Sequence, residues 1–261
     1  MNTNIIKSFC LTLICFWGIS VQAQTKIEFN LNGLKYKVIS GNKVSVERVS
    51  TDYPKGDFTI PSNVNYKGKT YVVTEVPDYA MQSMKFTSLT FPNTIKSIGT
   101  MAFWYCDQIQ SVKIPSSVTN IGIDAFELCL SLKSIDVAQN NPQYKSVDGV
   151  LFTKDMSVIK CYPIAKPALT YIIPEGVSII EGAVFNNSKL TSVTIPQSIT
   201  LIKNYAFIKS KDLVVVRIPS HILSNLKPNT FKLCEKLKRL TIYYPDGHIE
   251  YVDATPYKKD K

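Results

Sequence analysis

Residues 93–115 read NTIKSIGTMAFWYCDQIQSVKIP, and the pattern recurs 23 residues later as SSVTNIGIDAFELCLSLKSIDVA over residues 116–138. A further copy, QSITLIKNYAFIKSKDLVVVRIP, occupies residues 197–219. A unit of this size cannot bury its own apolar side chains and must stack on its neighbours. The repeat therefore predicts a solenoid with a long continuous surface, an architecture that binds partners more often than it catalyses reactions.

Two apolar periods are nested in each unit. The stretch LTSVTIP at residues 190–196 alternates apolar and polar side chains, which predicts a short strand with one buried face, ended by a proline that has no N–H to donate. The stretch IGIDAFELC at residues 121–129 spaces its apolar residues by three and four, which predicts one helical turn on the return side of the coil. Together they predict an α/β solenoid in which each coil adds one parallel strand.

A phenylalanine and a cysteine or serine recur at fixed places in the units. The phenylalanines are expected to stack as an aromatic column inside the solenoid. Cys106, Cys129 and Cys234 share one slot, so we expect buried free thiols, with a Cys106–Cys129 disulfide between adjacent coils as the alternative. The column is predicted to contain Phe103, Phe126, Phe185, Phe207 and Phe231.

These units resemble the leucine-rich repeats of the BspA type, whose units look like LxxLxxVxIPxxVxxIGxxAFxxC. The resemblance covers residues 62–243 as about seven units and implies a right-handed leucine-rich-repeat solenoid with a parallel strand ladder. It also implies an exported or cell-surface bacterial protein that binds or adheres to other proteins. Proline-centred turns replace the Asn or Cys of the general leucine-rich signature, as is typical of the BspA subtype.

The regions outside the regular units predict the remaining organisation. Residues 1–23 carry Lys7, an apolar run and a small-residue site before Gln24, which predicts a secretory signal peptide; a lipid anchor at Cys10 or Cys15 is the alternative. Residues 24–61 contain the hairpin signal Asn32-Gly33 and predict a small antiparallel β cap. Residues 139–174 predict a hairpin insert, and residues 244–261 a C-terminal cap whose last five residues are disordered.

The charge of the chain is basic and uneven. The formal net charge is +10, and removal of residues 1–23, which carry one lysine and no acid, leaves +9. Residues 203–261 hold 12 Lys or Arg against 6 Asp or Glu, so six of the nine net charges lie there. This end favours anionic partners such as sulfated glycans, acidic proteins or membrane surfaces, although a solvated basic face is the simpler and favoured interpretation; nucleic acid is not expected as a partner.

No catalytic or metal-binding motif is found in the sequence. His221 and His248 are isolated, and the GxSxG, GxxxxGK[ST], GxGxxG, HExxH and CxxC patterns are absent. We therefore expect no enzyme activity, cofactor or metal site, and no later segment is apolar enough to cross a membrane.

The outward row of the strand ladder is the predicted binding surface. Most of its side chains are small and hydroxylated, so it can accept a protein backbone or a glycan, or can simply be a solvated strand face. Glycan binding in the envelope and a structural scaffold without a dedicated ligand are therefore alternatives to protein binding. Arg217 and Arg239 should share one face if the strand register is right, and the predicted site residues are Ser111, Lys113, Ser134, Asp136, Ser192, Thr194, Arg217 and Arg239, with Trp104 on the return side.

Overall fold

The chain folds into a stack of short strands. A computed structural model describes residues 27–49 and 55–259 of the 261-residue sequence, so the predicted signal peptide lies outside the described residues. The described residues form 21 strands and two 3₁₀ helices, the latter at Ser220–Asn225 and Thr255–Lys258. The architecture is a parallel β-solenoid of about seven coils.

The strands in chain order are β1 (Glu28–Leu31), β2 (Leu34–Ser40), β3 (Lys43–Arg48), β4 (Gly56–Thr59), β5 (Asn63–Tyr66), β6 (Lys69–Val76), β7 (Phe86–Thr90), β8 (Ser97–Ile98), β9 (Ser111–Ile114), β10 (Asn120–Ile121), β11 (Ser134–Val137), β12 (Tyr144–Val147), β13 (Val150–Thr153), β14 (Val158–Cys161), β15 (Thr170–Ile172), β16 (Ile179–Ile180), β17 (Ser192–Thr194), β18 (Leu201–Ile202), β19 (Val215–Pro219), β20 (Arg239–Tyr243) and β21 (Ile249–Asp253).

One side of the solenoid carries two parallel ladders. The first ladder has the order β4-β7-β9-β11, and the second has the order β15-β17-β19-β20 with β21 added antiparallel at its end. Neighbouring strands pair one repeat apart, as Ser88, Ser111 and Ser134 do in the first ladder. The predicted contribution of one parallel strand per coil is therefore confirmed.

The opposite side of the solenoid carries two further sheets. The two-residue strands β8 and β10 continue a sheet that begins with β1, β2, β3 and β6, and β16 and β18 continue a sheet that begins with β12, β13 and β14. Each regular coil thus contains a ladder strand, a proline turn, a two-residue strand and the Ala-Phe segment that returns to the next ladder strand.

The Ala-Phe return segment is not helical, so the α/β prediction with helical turns is wrong. Met101 and Tyr105 adopt left-handed φ angles of 49° and 58°, which interrupt any helix at every fourth residue. Their N–H groups donate to carbonyl oxygens of the next coil, on Ile123 at 3.0 Å and on Glu127 at 2.9 Å. The segment is therefore a chain of tight turns hydrogen-bonded from coil to coil, and its apolar spacing of three and four comes from those turns.

Antiparallel strands cover both the start of the solenoid and its middle. Asn32 and Gly33, with φ of 51° and 72°, form the two-residue turn between β1 and β2, as their sequence predicts. Strand β3 then pairs with β6 in parallel and starts the stack. In the insert, β13 and β14 form the predicted hairpin, and β12 is an additional strand that pairs with β13.

Residues 257–259 pack against the last coil, in contrast to the disorder expected for them, and residues 260–261 lie outside the described residues. Phe231 N–H donates to the Tyr257 carbonyl at 2.9 Å, and Lys259 N–H donates to the Pro228 carbonyl at 3.0 Å. Lys258 Nζ reaches the Leu237 carbonyl at 3.1 Å. The second 3₁₀ helix therefore supplies the backbone partners that a further coil would have supplied.

The buried core forms two clusters that meet at the insert. Phe103 and Phe126 stack with ring centroids 5.6 Å apart in the first cluster. In the second, Phe207 stacks on Phe185 at 4.7 Å and lies 5.2 Å from Phe231. The insert has no Ala-Phe pair, and Tyr162 takes the place of the phenylalanine, 5.2 Å from Phe185.

Phe207 is fully buried between two aromatic neighbours, so its truncation should be costly. We expect Phe207→Ala to lower the free energy of unfolding by about 3–5 kcal/mol, measured by urea denaturation. Phe58→Ala is the matched control, because Phe58 is half-buried in the first ladder strand and should cost only about 1–2 kcal/mol. Equal losses in the two variants would contradict the assignment of Phe207 to the interior of the aromatic stack.

Candidate functional site

The first ladder presents a pair of opposite charges on its outer face. Ser111 pairs with Ser134, and Lys113 pairs with Asp136, across β9 and β11. Both serines are half-buried, whereas Lys113 and Asp136 are exposed. Directly opposite side chains on adjacent strands are close enough to interact, so this part of the face is close to charge-neutral.

An open groove lies at the carboxyl ends of the same strands. It has a volume of about 360 Å³, and Lys113 and Asp136 line it together with apolar groups of Phe91, Ile114 and Val137. The groove forms where the chain leaves each ladder strand and turns at a proline or alanine. Two of the predicted site residues, Lys113 and Asp136, therefore line one groove, whereas Ser111 and Ser134 lie at the other ends of the same strands.

The second ladder carries the other predicted ladder residues. Thr194 pairs with Arg217, which pairs with Thr241, and Thr241 pairs with Tyr251 of β21. Arg239 lies two residues before Thr241 on the same strand, so both arginines are on the outer face of adjacent strands, as the predicted register requires. Ser192 lies on this face two residues before Thr194, next to Val215.

Apolar side chains on this second face were not assigned to the site from the sequence. The relative exposures are 74% for Ile172, 67% for Tyr251, 41% for Ile249 and 39% for Val215. Tyr251 belongs to the antiparallel strand β21, which no repeat pattern predicts. We call the outward side chains of β15, β17, β19, β20 and β21 the C-terminal ladder face.

The insert separates the two ladders, so the predicted residues do not form one site. On the insert side of β11, Ile135 N–H donates to the Gly149 carbonyl at 2.9 Å and Val137 N–H donates to Ser146 Oγ at 3.1 Å. Strand β11 is paired with β9, whereas β15 starts the other sheet. Trp104 is half-buried on the return side, 6.0 Å from the ring of Tyr105, and therefore belongs to neither ladder face.

A narrow cleft lies between the return segments on either side of the insert, because the insert coil has no Ala-Phe segment. Its volume is about 30 Å³, well below the roughly 300–1,000 Å³ of small-molecule sites. Asn186 Nδ2 donates to Glu127 Oε1 at 2.7 Å across the cleft and so links the two halves of the solenoid. Asp124 also lines this cleft.

The Asp124 carboxyl has an unusual protonation equilibrium. Its burial, followed by the nearby carboxylates of Glu127 and Glu181, raises the pKa of Asp124 to about 6, and Lys160 and Lys203 offset the shift only in part. The cleft therefore contains a carboxyl group that is protonated under mildly acidic conditions.

The cysteine slot has a hydrogen-bonding role as well as a packing role. The thiols of Cys106, Cys129 and Cys234 donate to carbonyl oxygens of the preceding coil at 3.1, 3.4 and 3.0 Å. Ser210 fills the same slot and donates to the Phe185 carbonyl at 2.6 Å. All four cysteines of the described residues are free, and burial raises the pKa of Cys106, Cys161 and Cys234 to about 12 and that of Cys129 well above its usual value. Cys161 differs from the other three in being partly exposed to solvent.

The rate at which each thiol reacts should decrease with the burial of its side chain. In protein lacking residues 1–23, we expect Cys161, which is half-buried, to react first with a thiol reagent at pH 8, and the three slot cysteines only after urea unfolding. Cys161→Ser should remove the early phase alone. A slot cysteine that reacts as fast as Cys161 in the native protein would contradict this assignment.

Asp124 should make stability depend on pH. Because its folded pKa of about 6 is above the unfolded value of 3.8, the native state holds more protons between these values, and stability falls as pH rises from about 4 to 6. The substitution Asp124→Asn should remove this loss. Its effect on the free energy of unfolding should be more favourable at pH 7.5 than at pH 4 by on the order of 1 kcal/mol, a value that allows for solvent screening. Urea denaturation of both proteins at the two pH values provides the measurement; an effect independent of pH would contradict a raised pKa.

Two further observations concern metal ions and membranes. In the described part of the chain, no cluster of three or more His, Cys, Asp or Glu side chains is placed to hold a metal ion. None of its helices is long and apolar enough to cross a bilayer.

Comparison with known proteins agrees with this geometry. The chain is 18% identical to a leucine-rich repeat protein from Eubacterium ventriosum, with a TM-score of 0.54 over 84% of this chain and 73% of that one. For the pneumococcal vaccine antigen PcpA the identity is 21%, the TM-score 0.46 and the coverage 83% and 82%. For a leucine-rich repeat protein of T. pallidum these values are 20%, 0.42, 82% and 81%.

At 18% identity, the Eubacterium ventriosum structure shows a shared fold alone, and a search of curated protein sequences finds no match. The family model for the BspA type leucine-rich repeat region matches residues 74–161 and 157–254, with six copies. With more than half of its length matched in this way, the chain belongs to the BspA-type leucine-rich repeat family.

Proposed function

We propose that this protein is a non-enzymatic, exported binding or adhesion module that holds an extracellular or cell-surface protein on its C-terminal ladder face. The observation that carries the proposal is the row formed by Ile172, Thr194, Arg217, Thr241 and Tyr251 across five adjacent strands. Leucine-rich repeat arrays usually bind a partner through their repeats.

The composition of the C-terminal ladder face supports a protein as the partner. Tyrosine and arginine are the residues that most often dominate binding energy at protein interfaces. Here Tyr251 and Arg217 flank Thr241 in one row, and Ile172 and Ile249 add exposed apolar area. The first ladder has no comparable exposed aromatic or arginine side chain among its predicted site residues.

The charge of this face indicates what kind of protein surface it fits. Arg217 and Arg239 are exposed on adjacent strands, and Asp253 is the acidic side chain opposite Arg239. The Asp253 carboxylate accepts hydrogen bonds from Thr255 N–H at 2.9 Å and from Thr255 Oγ1 at 2.8 Å. Among the described residues, neither arginine has a carboxylate within 4 Å, so both can contact a partner, and an acidic surface around an apolar centre is complementary to them.

The sheet itself supports binding by holding these side chains in place. Strand β19 is hydrogen-bonded to β17 on one side and to β20 on the other, and β20 is hydrogen-bonded to β19 and β21. A face whose backbone is fixed by hydrogen bonds loses little conformational freedom when a partner binds. Export, which the leader-like residues 1–23 and the family support, would bring this face into contact with extracellular proteins.

Binding to a panel of immobilised extracellular-matrix and cell-surface proteins tests the proposal. We expect at least one partner to bind, and we expect Arg217→Ala and Tyr251→Ala each to lower its affinity about 10-fold or more, measured by surface plasmon resonance. Lys113→Ala on the first ladder is the matched control and should change the affinity by less than about 2-fold.

Two results would contradict binding through the C-terminal ladder face. Absence of binding across the panel would favour a structural scaffold. Equal losses in the Arg217 and Lys113 variants would place the contact elsewhere or reduce it to net charge.

A further inference from the structure

A second concave region lies at the corner where the return segments lead into the second ladder. Lys189, Lys209 and Lys211 line a groove of about 360 Å³ there, and Leu130 and Ile164 form its apolar part. The groove spans four successive units, since Leu130 precedes the insert, Ile164 belongs to it, and the lysines lie in the two units that follow it. We call this region the corner groove.

The insert is the reason that the corner is open. A regular unit has an Ala-Phe return segment before its corner, as residues 206–207 do before Lys209. In the insert, the chain passes from Tyr162 through Pro163 and Ile164 to the second ladder without such a segment. The corner between Leu130 and Lys189 therefore has less chain to fill it than any regular corner.

The corner groove has an excess of positive charge. Lys211 Nζ lies 3.0 Å from Glu235 Oε1, so its charge is balanced by an ion pair. Asp212 also lines the groove, and its carboxylate lies 2.6 Å from Lys236 Nζ. Lys236 lowers the pKa of Asp212, and the more distant charge of Lys189 contributes least to the shift. Within the described residues, neither Lys189 nor Lys209 has an acidic partner within 4 Å.

The backbone around these two lysines is fixed by the stacking of coils. Asn187 N–H donates to the Ile208 carbonyl at 2.9 Å, and Lys209 N–H donates to the Lys232 carbonyl at 2.9 Å. Ser188 Oγ and Ser210 Oγ are hydrogen-bonded at 3.0 Å in the buried layer below the groove. The groove is therefore formed before any ligand binds.

We propose that the corner groove binds an anionic polysaccharide, a glycan chain that carries sulfate or carboxylate groups. Lys189 and Lys209 pair with the acidic groups, the Asn187 amide bonds sugar hydroxyls, and the apolar faces of sugar rings lie against Leu130 and Ile164. The site is separate from the C-terminal ladder face and does not depend on the function proposed for it.

The lining of the groove favours a polysaccharide over a protein or a membrane. It contains none of the tyrosine, tryptophan or arginine side chains that anchor protein interfaces. Its concave form contrasts with the protruding or flat basic surfaces that rest on lipid headgroups. Lysine ammonium groups act as point charges on flexible stems, which suits the varied spacing of acidic groups along a glycan.

Binding to dextran sulfate, with neutral dextran of the same length as the comparison, tests this proposal. We expect the protein to bind dextran sulfate alone, and we expect the double substitution Lys189→Glu/Lys209→Glu to lower the affinity about 10-fold or more in isothermal titration. The matched control is Lys43→Glu/Lys67→Glu, at the start of β3 and in the turn between β5 and β6, which makes the same change in net charge and should lower affinity less than about 2-fold. Both double variants should keep the thermal unfolding midpoint, because all four lysines are exposed.

Several results would overturn the proposal. Equal losses in the two double variants would show attraction by net charge alone, and retained affinity in the groove variant would place the site elsewhere. Equal binding to vesicles of phosphatidylglycerol, lost in the groove variant, would assign the groove to a membrane surface. Binding of an acidic protein from the panel above, lost in the groove variant but not in Arg217→Ala, would assign it to a protein.

Discussion

Backbone hydrogen bonds between successive coils are the interaction on which the whole molecule depends. The ladder strands, the two-residue strands and the left-handed residues of the return segments all direct N–H groups to carbonyl oxygens of a neighbouring coil. A coil without neighbours would leave these groups unpaired beside an apolar core, which costs free energy at each group. Both ends of the stack are accordingly closed, by β1–β3 at one and by β21 and the last 3₁₀ helix at the other. The left-handed residues, strained on their own, are stabilised by the same bonds.

The insert changes this regular stack into a molecule with distinct surfaces. It interrupts the ladder between β11 and β15, divides the core into two clusters and removes one return segment. The near-neutral groove at Lys113 and Asp136 therefore lies on one side of the interruption, and the arginine and tyrosine row on the other. The acidic cleft at Asp124 and the corner groove both lie where the missing return segment would have packed.

Much of this arrangement could be predicted from the 23-residue period. The alternation around Val193 determines which side chains of a ladder strand are buried, and the recurring phenylalanine and cysteine slots locate the core. The return segment was misjudged because spacing of three and four is shared by a helix and by repeated tight turns with left-handed residues such as Met101. Tyr251 was missed because β21 joins the ladder antiparallel, outside any repeat. The cleft at Asp124 forms because the neighbouring insert coil lacks an Ala-Phe segment. The sequence pattern of a single unit cannot predict a cleft that depends on the next coil.

The interrupted ladder also bears on how such a protein can evolve. Within the second ladder each strand pairs with the next in the same register, 22 to 24 residues further on. Duplication of one unit there, for example by unequal recombination, would lengthen the arginine-bearing face by a strand while the insert still closes one end and β21 the other. The first ladder would be unaffected, because the insert separates the two hydrogen-bonded sheets. The faces of the two ladders can thus change in length independently of each other, and each can acquire a different partner as it does so.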